Sequence, residues 1–145
     1  MPLEQAAWIH GTSVQFENKS WEVRSLRQGH FTTVIPSNEA TIGWVHFAIP
    51  TPVIVNDVRL KAQSAMIRFT TGPQASIRAV RVWDGETFLY GKDGVDYKGN
   101  LQVIQELIPG VPEVKWGVGI SILVDFNGTG PDAWIRLISA GVDFR

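Results

Sequence analysis

The sequence predicts an antiparallel β-sandwich of jelly-roll type, with a partly open β-barrel as the nearest alternative. Three observations carry this reading. Short runs rich in β-branched and aromatic residues recur along the chain, punctuated throughout by 14 glycines and 8 prolines. No stretch shows the apolar period of an amphipathic helix of useful length. No linker-like or low-complexity segment divides the 145 residues, a length that buries one real core, so residues 1–145 read as a single domain.

Taken in order, the β-prone runs place strands at residues 6–10, 13–17, 22–26, 44–49, 53–55, 62–71, 76–83, 87–90, 101–107, 118–126 and 133–140. Between the fourth and fifth, Pro50 and Pro52 enforce an extended passage that cannot sit in a central ladder. That passage is expected to carry the chain from one sheet to the other, or to blunt an edge. Asp84-Gly85 suits a two-residue type I′ turn pairing Trp83 with Glu86. This puts Val80, Val82 and Leu89 on one face and Arg81, Trp83, Phe88 and Tyr90 on the other. Residues 91–100, with Lys92-Asp93-Gly94 and Lys98-Gly99-Asn100, read as a long surface loop.

The last two strands are expected to form a hairpin with Phe126 opposite Ala133. A turn at Asn127-Gly128 would place Pro131 in the ladder, so the connection reads as a longer loop. In this register Val118, Ile120, Ile122, Val124, Phe126, Ile135 and Leu137 share one face. A slip of one residue would drive Asp132, Trp134 and Arg136 into the core.

Four of the six tryptophans fall on the wrong phase for that core. In the strand at 44–49, Val45, Phe47 and Ile49 alternate on one side and leave Trp44 and His46 on the other. Trp134, Trp83 and Trp8 are displaced in the same way. Large aromatics repeated on a second face imply a cover, either a partner subunit or a ligand.

The face carrying Trp134, Asp125, Arg136 and Ser121 is the leading candidate. Gly117, Gly119 and Ser121 give it a low floor, and the expected register sets Asp125 across from Trp134 with Arg136 diagonally near. A flat ring flanked by hydrogen-bonding charges suits a sugar or another small molecule. An ordinary cross-strand pair beside a tryptophan packed under a loop is the plainer alternative.

The second candidate is the repeated Trp-x-His pattern, Trp8-Ile9-His10 and Trp44-Val45-His46, in which each ring lies beside its imidazole. Were the two strands neighbours, His10 and His46 could converge with Asp57, Asp125 or Asp143 as acid–base groups or metal ligands. Two histidines far apart in sequence do not establish a metal site, and no metal or other cofactor is assigned. No Gly-x-Ser-x-Gly elbow is present, Gly117-Val118-Gly119 lacks the rest of a phosphate loop, and no residue is assigned as catalytic.

Composition narrows the partners. A formal net charge of −1 with singly scattered Lys and Arg leaves no footprint for nucleic acid or an anionic membrane. The chain has no cysteine, no run long enough to span a membrane and no visible secretory signal, which makes a cytoplasmic protein the expectation. The expected role is non-catalytic binding or assembly: a homo-oligomer covering the aromatic face, with room at that face for a small-molecule or carbohydrate ligand. A small pocket enzyme or ligand carrier using His10 and His46 is the alternative.

Several segments together resemble a family of small, single-domain, all-β microbial proteins of unknown function. They include Trp8-Ile9-His10-Gly11, Ile49-Pro50-Thr51-Pro52-Val53, Val82-Trp83-Asp84-Gly85, Trp116-Gly117-Val118-Gly119-Ile120-Ser121 and Ser139-Ala140-Gly141-Val142-Asp143-Phe144. The resemblance spans nearly the whole chain and implies an all-β domain that stands alone. It implies no activity and assigns no site residue.

Overall fold

Alternating aliphatic residues set the architecture in a computed structural model that describes residue 3 and residues 5–145. In chain order the elements begin with β1 (Gln5–His10), a single 3-10 turn (Gly11–Ser13), β2 (Gln15–Phe16), α1 (Lys19–Arg24), β3 (Leu26–Gln28) and β4 (Phe31–Val34). The middle of the chain forms β5 (Ile42–Ala48), β6 (Ile54–Val55), β7 (Val58–Arg59) and β8 (Ala62–Thr71). It continues through β9 (Ala75–Asp84), β10 (Thr87–Tyr97), β11 (Gln102–Leu107), β12 (Val118–Phe126) and β13 (Ile135–Phe144).

These strands make a six-stranded sheet in the order β11-β8-β13-β4-β3, with β1 also on β13, and a five-stranded sheet in the order β10-β9-β12-β5-β2. All their pairings are antiparallel, and the chain passes repeatedly from one sheet to the other. The result is a jelly-roll-like β-sandwich. Its sheets do not close, which rules out the barrel alternative.

The core lies between the sheets. Val45 and Phe47 of β5, Ile120, Ile122 and Val124 of β12, Ile67 and Phe69 of β8, and Leu137 and Val142 of β13 are fully buried there. Burial of such side chains stabilises by roughly 1.5–3 kcal/mol each. Trp21 is the core tryptophan. Its ring meets Phe126 edge-on at 5.2 Å, and its indole N–H donates to the Ala40 carbonyl at 2.9 Å.

Trp21 reaches the core from α1, where a strand was expected at residues 22–26. Asn18 caps this helix, its side chain accepting from the Ser20 N–H at 3.1 Å. Six residues with one buried side chain show too little period for a helix to be recognised. Pro50 and Pro52 lead out of β5 toward the small β6–β7 hairpin and then β8, so the extended passage does change sheets.

The β9–β10 hairpin departs from the expected register and extent. Asp84 pairs with Thr87, so the hairpin turn is Gly85-Glu86 and only Gly85 takes positive φ, at 56°. That is the II′ pattern rather than I′. A bulge between Phe88 and Tyr90 then turns Tyr90 toward the core edge, away from the face holding Trp83. Residues 91–97, expected as loop, continue β10.

The largest correction concerns the last two strands. They form no hairpin: β12 pairs with β5 and β9, whereas β13 pairs with β1, β4 and β8 in the opposite sheet. Both turn the expected aliphatic residues inward, because a crossover between facing sheets satisfies the same pattern as a hairpin.

At one side of the sandwich, buried Glu106 of β11 accepts from the Tyr97 hydroxyl at 2.6 Å and the Tyr90 hydroxyl at 3.0 Å, linking the two edge strands β11 and β10. Among the described residues no helix is long and apolar enough to cross a membrane.

Candidate functional site

The outer face of the five-stranded sheet gathers aromatic and polar side chains in three successive rows. Phe88, Trp83, Gly119 and Ala48 form the first, and Gly91, Arg81, Ser121, His46 and Gln15 the second. Asp93, Ala79, Leu123 and Trp44 form the third. Residues on one face recur every second position, so these rows follow directly from the register. Glu17, just past β2, joins the third row by donating its N–H to the Trp44 carbonyl at 3.3 Å.

Trp44 and Trp83 are both half-buried and stand in a groove of about 180 Å³, with Arg81, Ser121 and His46 between them and Glu17 on the β2 side of Trp44. Four residues of strand and two strand spacings separate them, which is about 13 Å along the strands and about 10 Å across. The groove therefore crosses the sheet diagonally. Gly119 keeps its floor low beside Trp83, since a Cβ there would meet only the Phe47 carbonyl oxygen at 3.9 Å.

Each polar group is oriented by a neighbour. His46 Nδ1 lies 2.6 Å from Ser121 Oγ, and His46 Nε2 lies 2.9 Å from Glu17 Oε1. A carboxylate only accepts, so Nε2 carries the proton. In the neutral ring, Nδ1 then accepts from the Ser121 hydroxyl.

Hydroxyl, imidazole and carboxylate in sequence resemble a hydrolase relay, but the surroundings do not complete one. Ser121 is 7% exposed, and β12 is hydrogen-bonded to a strand on each side, so its backbone N–H groups are committed to ladders. An oxyanion would need free donors at that point. The nearest cation, Arg81, already forms an ion pair with Asp93 and lies over the Trp44 ring at 5.5 Å.

Beyond Trp83, the end of the groove is held by buried Asp84. Its carboxylate accepts from the N–H groups of Lys115 at 2.8 Å, Trp116 at 2.9 Å and Gly117 at 3.0 Å. Burial pushes this carboxyl up, but the three N–H donors and the Lys115 charge outweigh burial and leave it below the ordinary aspartate range. The clamp fixes Trp116, 71% exposed, against Gly85, where a Cβ would come within 3.0 Å of it.

The predicted site residues divide between two surfaces. Trp44, His46, Ser121 and Asp125 lie on the five-stranded sheet, with Asp125 bonded to Arg78 at 3.2 Å, away from the groove. Trp134 and Arg136 lie on the outside of the six-stranded sheet, so Asp125 is not across from Trp134. Trp8, 45% exposed, covers Gly141 there.

His10 and His46 do not converge, because β1 and β5 belong to different sheets. His10 instead accepts from the Thr12 N–H at 3.1 Å. Among the described residues, no group of three His, Cys, Asp or Glu side chains could hold a metal ion.

Arg81, Trp83 and Glu17 were absent from the predicted site. Arg81 and Trp83 were visible on the outer phase of their strand, but nothing local linked that strand to Trp44. The bridging strand β12 supplies the link.

The family described as "Family of unknown function (DUF6623)" matches residues 1–145. No curated protein matches the sequence. Among solved structures, a low-affinity xylan-binding module, CBM86, from the gut symbiont Roseburia intestinalis is similar at a TM-score of 0.58 and 7% identity, covering 97% of this chain and 96% of that one. The insecticidal crystal protein Cry2Aa is similar at a TM-score of 0.52 and 11% identity, over 97% of this chain and 21% of that one. At such identities the likeness is one of fold.

Proposed function

This chain belongs to the family of unknown function DUF6623, and we propose that it is a non-catalytic carbohydrate-binding domain whose ligand lies along the Trp44–Trp83 groove. One observation carries the proposal: two half-buried indoles on a single outer sheet face, separated by a row of oriented hydrogen-bonding groups. A sugar presents C–H faces that pack on aromatic rings and hydroxyls that exchange hydrogen bonds at its edges. Arg81, His46 and Ser121 supply such partners between the rings, and Glu17 supplies one beside Trp44.

The groove is smaller than the roughly 300–1,000 Å³ usual for pockets that enclose a small molecule. A chain lying across the sheet fits it better than an engulfed ligand does. The shared fold of a xylan-binding module does not assign the ligand, but it makes xylan the first polysaccharide to test.

Calorimetric titration with soluble xylan and a panel of neutral glycans tests the proposal. Binding by the native protein that is lost in Trp44→Ala and Trp83→Ala is the expected result. No binding to any neutral glycan, or equal binding by native protein and both variants, overturns it.

Self-association, the other expected role, would need to choose between two opposite faces, because the outward tryptophans divide between the sheets. One two-fold interface covers a single patch, so ligand binding accounts for the oriented groove more directly. Light scattering over a range of concentrations distinguishes them, since groove-mediated assembly predicts dissociation in Trp44→Ala.

A further inference from the structure

We propose that the outer face of the six-stranded sheet is a second, independent site, built for a carboxylate-bearing glycan. The centre of the site is Arg136 of β13. Its guanidinium lies between two aromatic rings, with Cζ 4.6 Å from the Trp134 ring and 4.8 Å from the Phe31 ring. Contact with both rings holds the guanidinium in place, and no carboxylate among the described residues occupies its N–H groups. Arg136 itself is exposed.

A groove opens on either side of it. One, of about 500 Å³, is lined by Arg24, Thr33, Trp134 and Arg136 among others. The other, of about 340 Å³, is lined by His30, Phe31, Arg68 and Arg136 among others. No Asp or Glu lines either groove. Arg24, Arg68 and Arg136 have no carboxylate within ion-pair distance among the described residues.

The opposite sheet behaves differently. Arg78 pairs with Asp96 and Asp125, and Arg81 pairs with Asp93, so each of these two cations is already neutralised. The two grooves thus present three arginines, Arg24 from α1 with Arg68 and Arg136 from the sheet, without an ion-pair partner among the described residues, in a chain whose formal charge is −1.

The chemistry of that face selects its ligand. Planar guanidinium forks match carboxylates in a bidentate manner, and the rings of Trp134 and Phe31 match the flat, apolar faces of sugar units. Cations in both grooves, with Arg136 shared between them, suit a ligand that presents acidic groups at intervals along its length. A polyuronate has both features. The phosphates of nucleic acid offer charge without the apolar ring faces.

The test is calorimetric titration of the full chain at about 0.15 M salt, where screening suppresses diffuse attraction. The probes are polygalacturonate, dextran sulfate, xylan and double-stranded DNA. Polygalacturonate is expected to bind. Arg136→Ala should weaken it about tenfold, in line with loss of a charge-assisted contact. Arg136→Lys retains the charge without the fork and should weaken it comparably.

Trp44→Ala and Trp83→Ala should leave polygalacturonate binding unchanged, which keeps this site separable from the groove on the other sheet. Absence of polygalacturonate binding overturns the proposal. So does native affinity in Arg136→Lys, or binding of dextran sulfate or DNA as tight as that of polygalacturonate, since charge alone would then suffice.

Discussion

His46 and Ser121 face each other across the β5–β12 ladder with Nδ1 and Oγ 2.6 Å apart, while the other nitrogen of the same ring reaches Glu17 at 2.9 Å. One imidazole therefore ties a central strand and the segment after the short edge strand β2 to β5. Its first consequence is positional: the groove floor is fixed before any ligand arrives. His46→Ala should leave Ser121 without its partner and lower stability by about 1–2 kcal/mol, measured by urea unfolding. Replacement by Gln, which can both donate and accept, should recover part of that loss.

Stacking predicts a sharper effect on binding. Trp44→Ala or Trp83→Ala should each weaken a neutral glycan at least about tenfold, or roughly 1.4 kcal/mol, in the same titration. Trp83 also meets Phe88 edge-on at 5.3 Å, so Phe88→Ala should weaken binding less, by loosening the Trp83 ring. Equal losses for Phe88 and Trp83 would give Phe88 a direct contact instead.

Alkaline pH should destabilise the side of the sandwich closed by Glu106. Burial, then the hydrogen bond and charge of Glu106, push the Tyr97 hydroxyl up to about 12 from 10.0, and Tyr90 shifts in the same direction for the same reasons. Below pH 10 both states keep these protons, so the stabilisation is fully present. As pH rises further, the unfolded chain releases its tyrosine protons first and stability falls, the Tyr97 contribution being lost through about 12. Chemical unfolding across that range should show the decline, and Glu106→Gln should flatten it.

The Asp84 clamp gives the opposite sign at the acid end. Its folded carboxyl lies below the ordinary aspartate value of 3.8, so its contribution is complete above that pH and disappears as pH falls through the lower folded value. Asp84→Asn retains one acceptor oxygen and should cost about 2 kcal/mol. It should also release the backbone around Trp116, visible as faster amide exchange at Lys115, Trp116 and Gly117.

Gly11 is a backbone test of the sandwich. A Cβ at this position would collide with the Leu137 carbonyl, a main-chain group that cannot swing aside. The Gly11 carbonyl also accepts from buried Thr32 at 2.9 Å. Gly11→Ala should therefore leave the protein largely unfolded or insoluble, whereas Gly29→Ala, with open space around it, should be neutral by thermal melt.

Much of this was legible in the sequence because side-chain alternation is local. Val118–Phe126 and the outward phase of Trp8, Trp44, Trp83 and Trp134 follow from period two alone, and all four tryptophans do lie outside the core. The partners of those strands did not follow. Phe126 and Ala133 are close in sequence, yet the loop between them crosses from one sheet to the other with the same residues facing inward. Asp125 and Trp134 were consequently placed together when the core lies between them. The bulge after Phe88 left a similar gap, since one extra residue reverses the direction of Tyr90 without changing the hydrophobic pattern.

The inward carboxylate of Glu106 also governs how the molecule behaves in a crowd. Strand β11 ends its sheet, and Val103 and Leu107 on it are exposed, which is the profile of a strand that recruits copies of itself. A carboxylate directed to the sandwich interior, which among the described residues accepts from Tyr90 and Tyr97, makes that edge costly to peel away and re-register. An inward-pointing charged residue is one of the devices that blunt edge-to-edge pairing, and Glu106 occupies that place on β11.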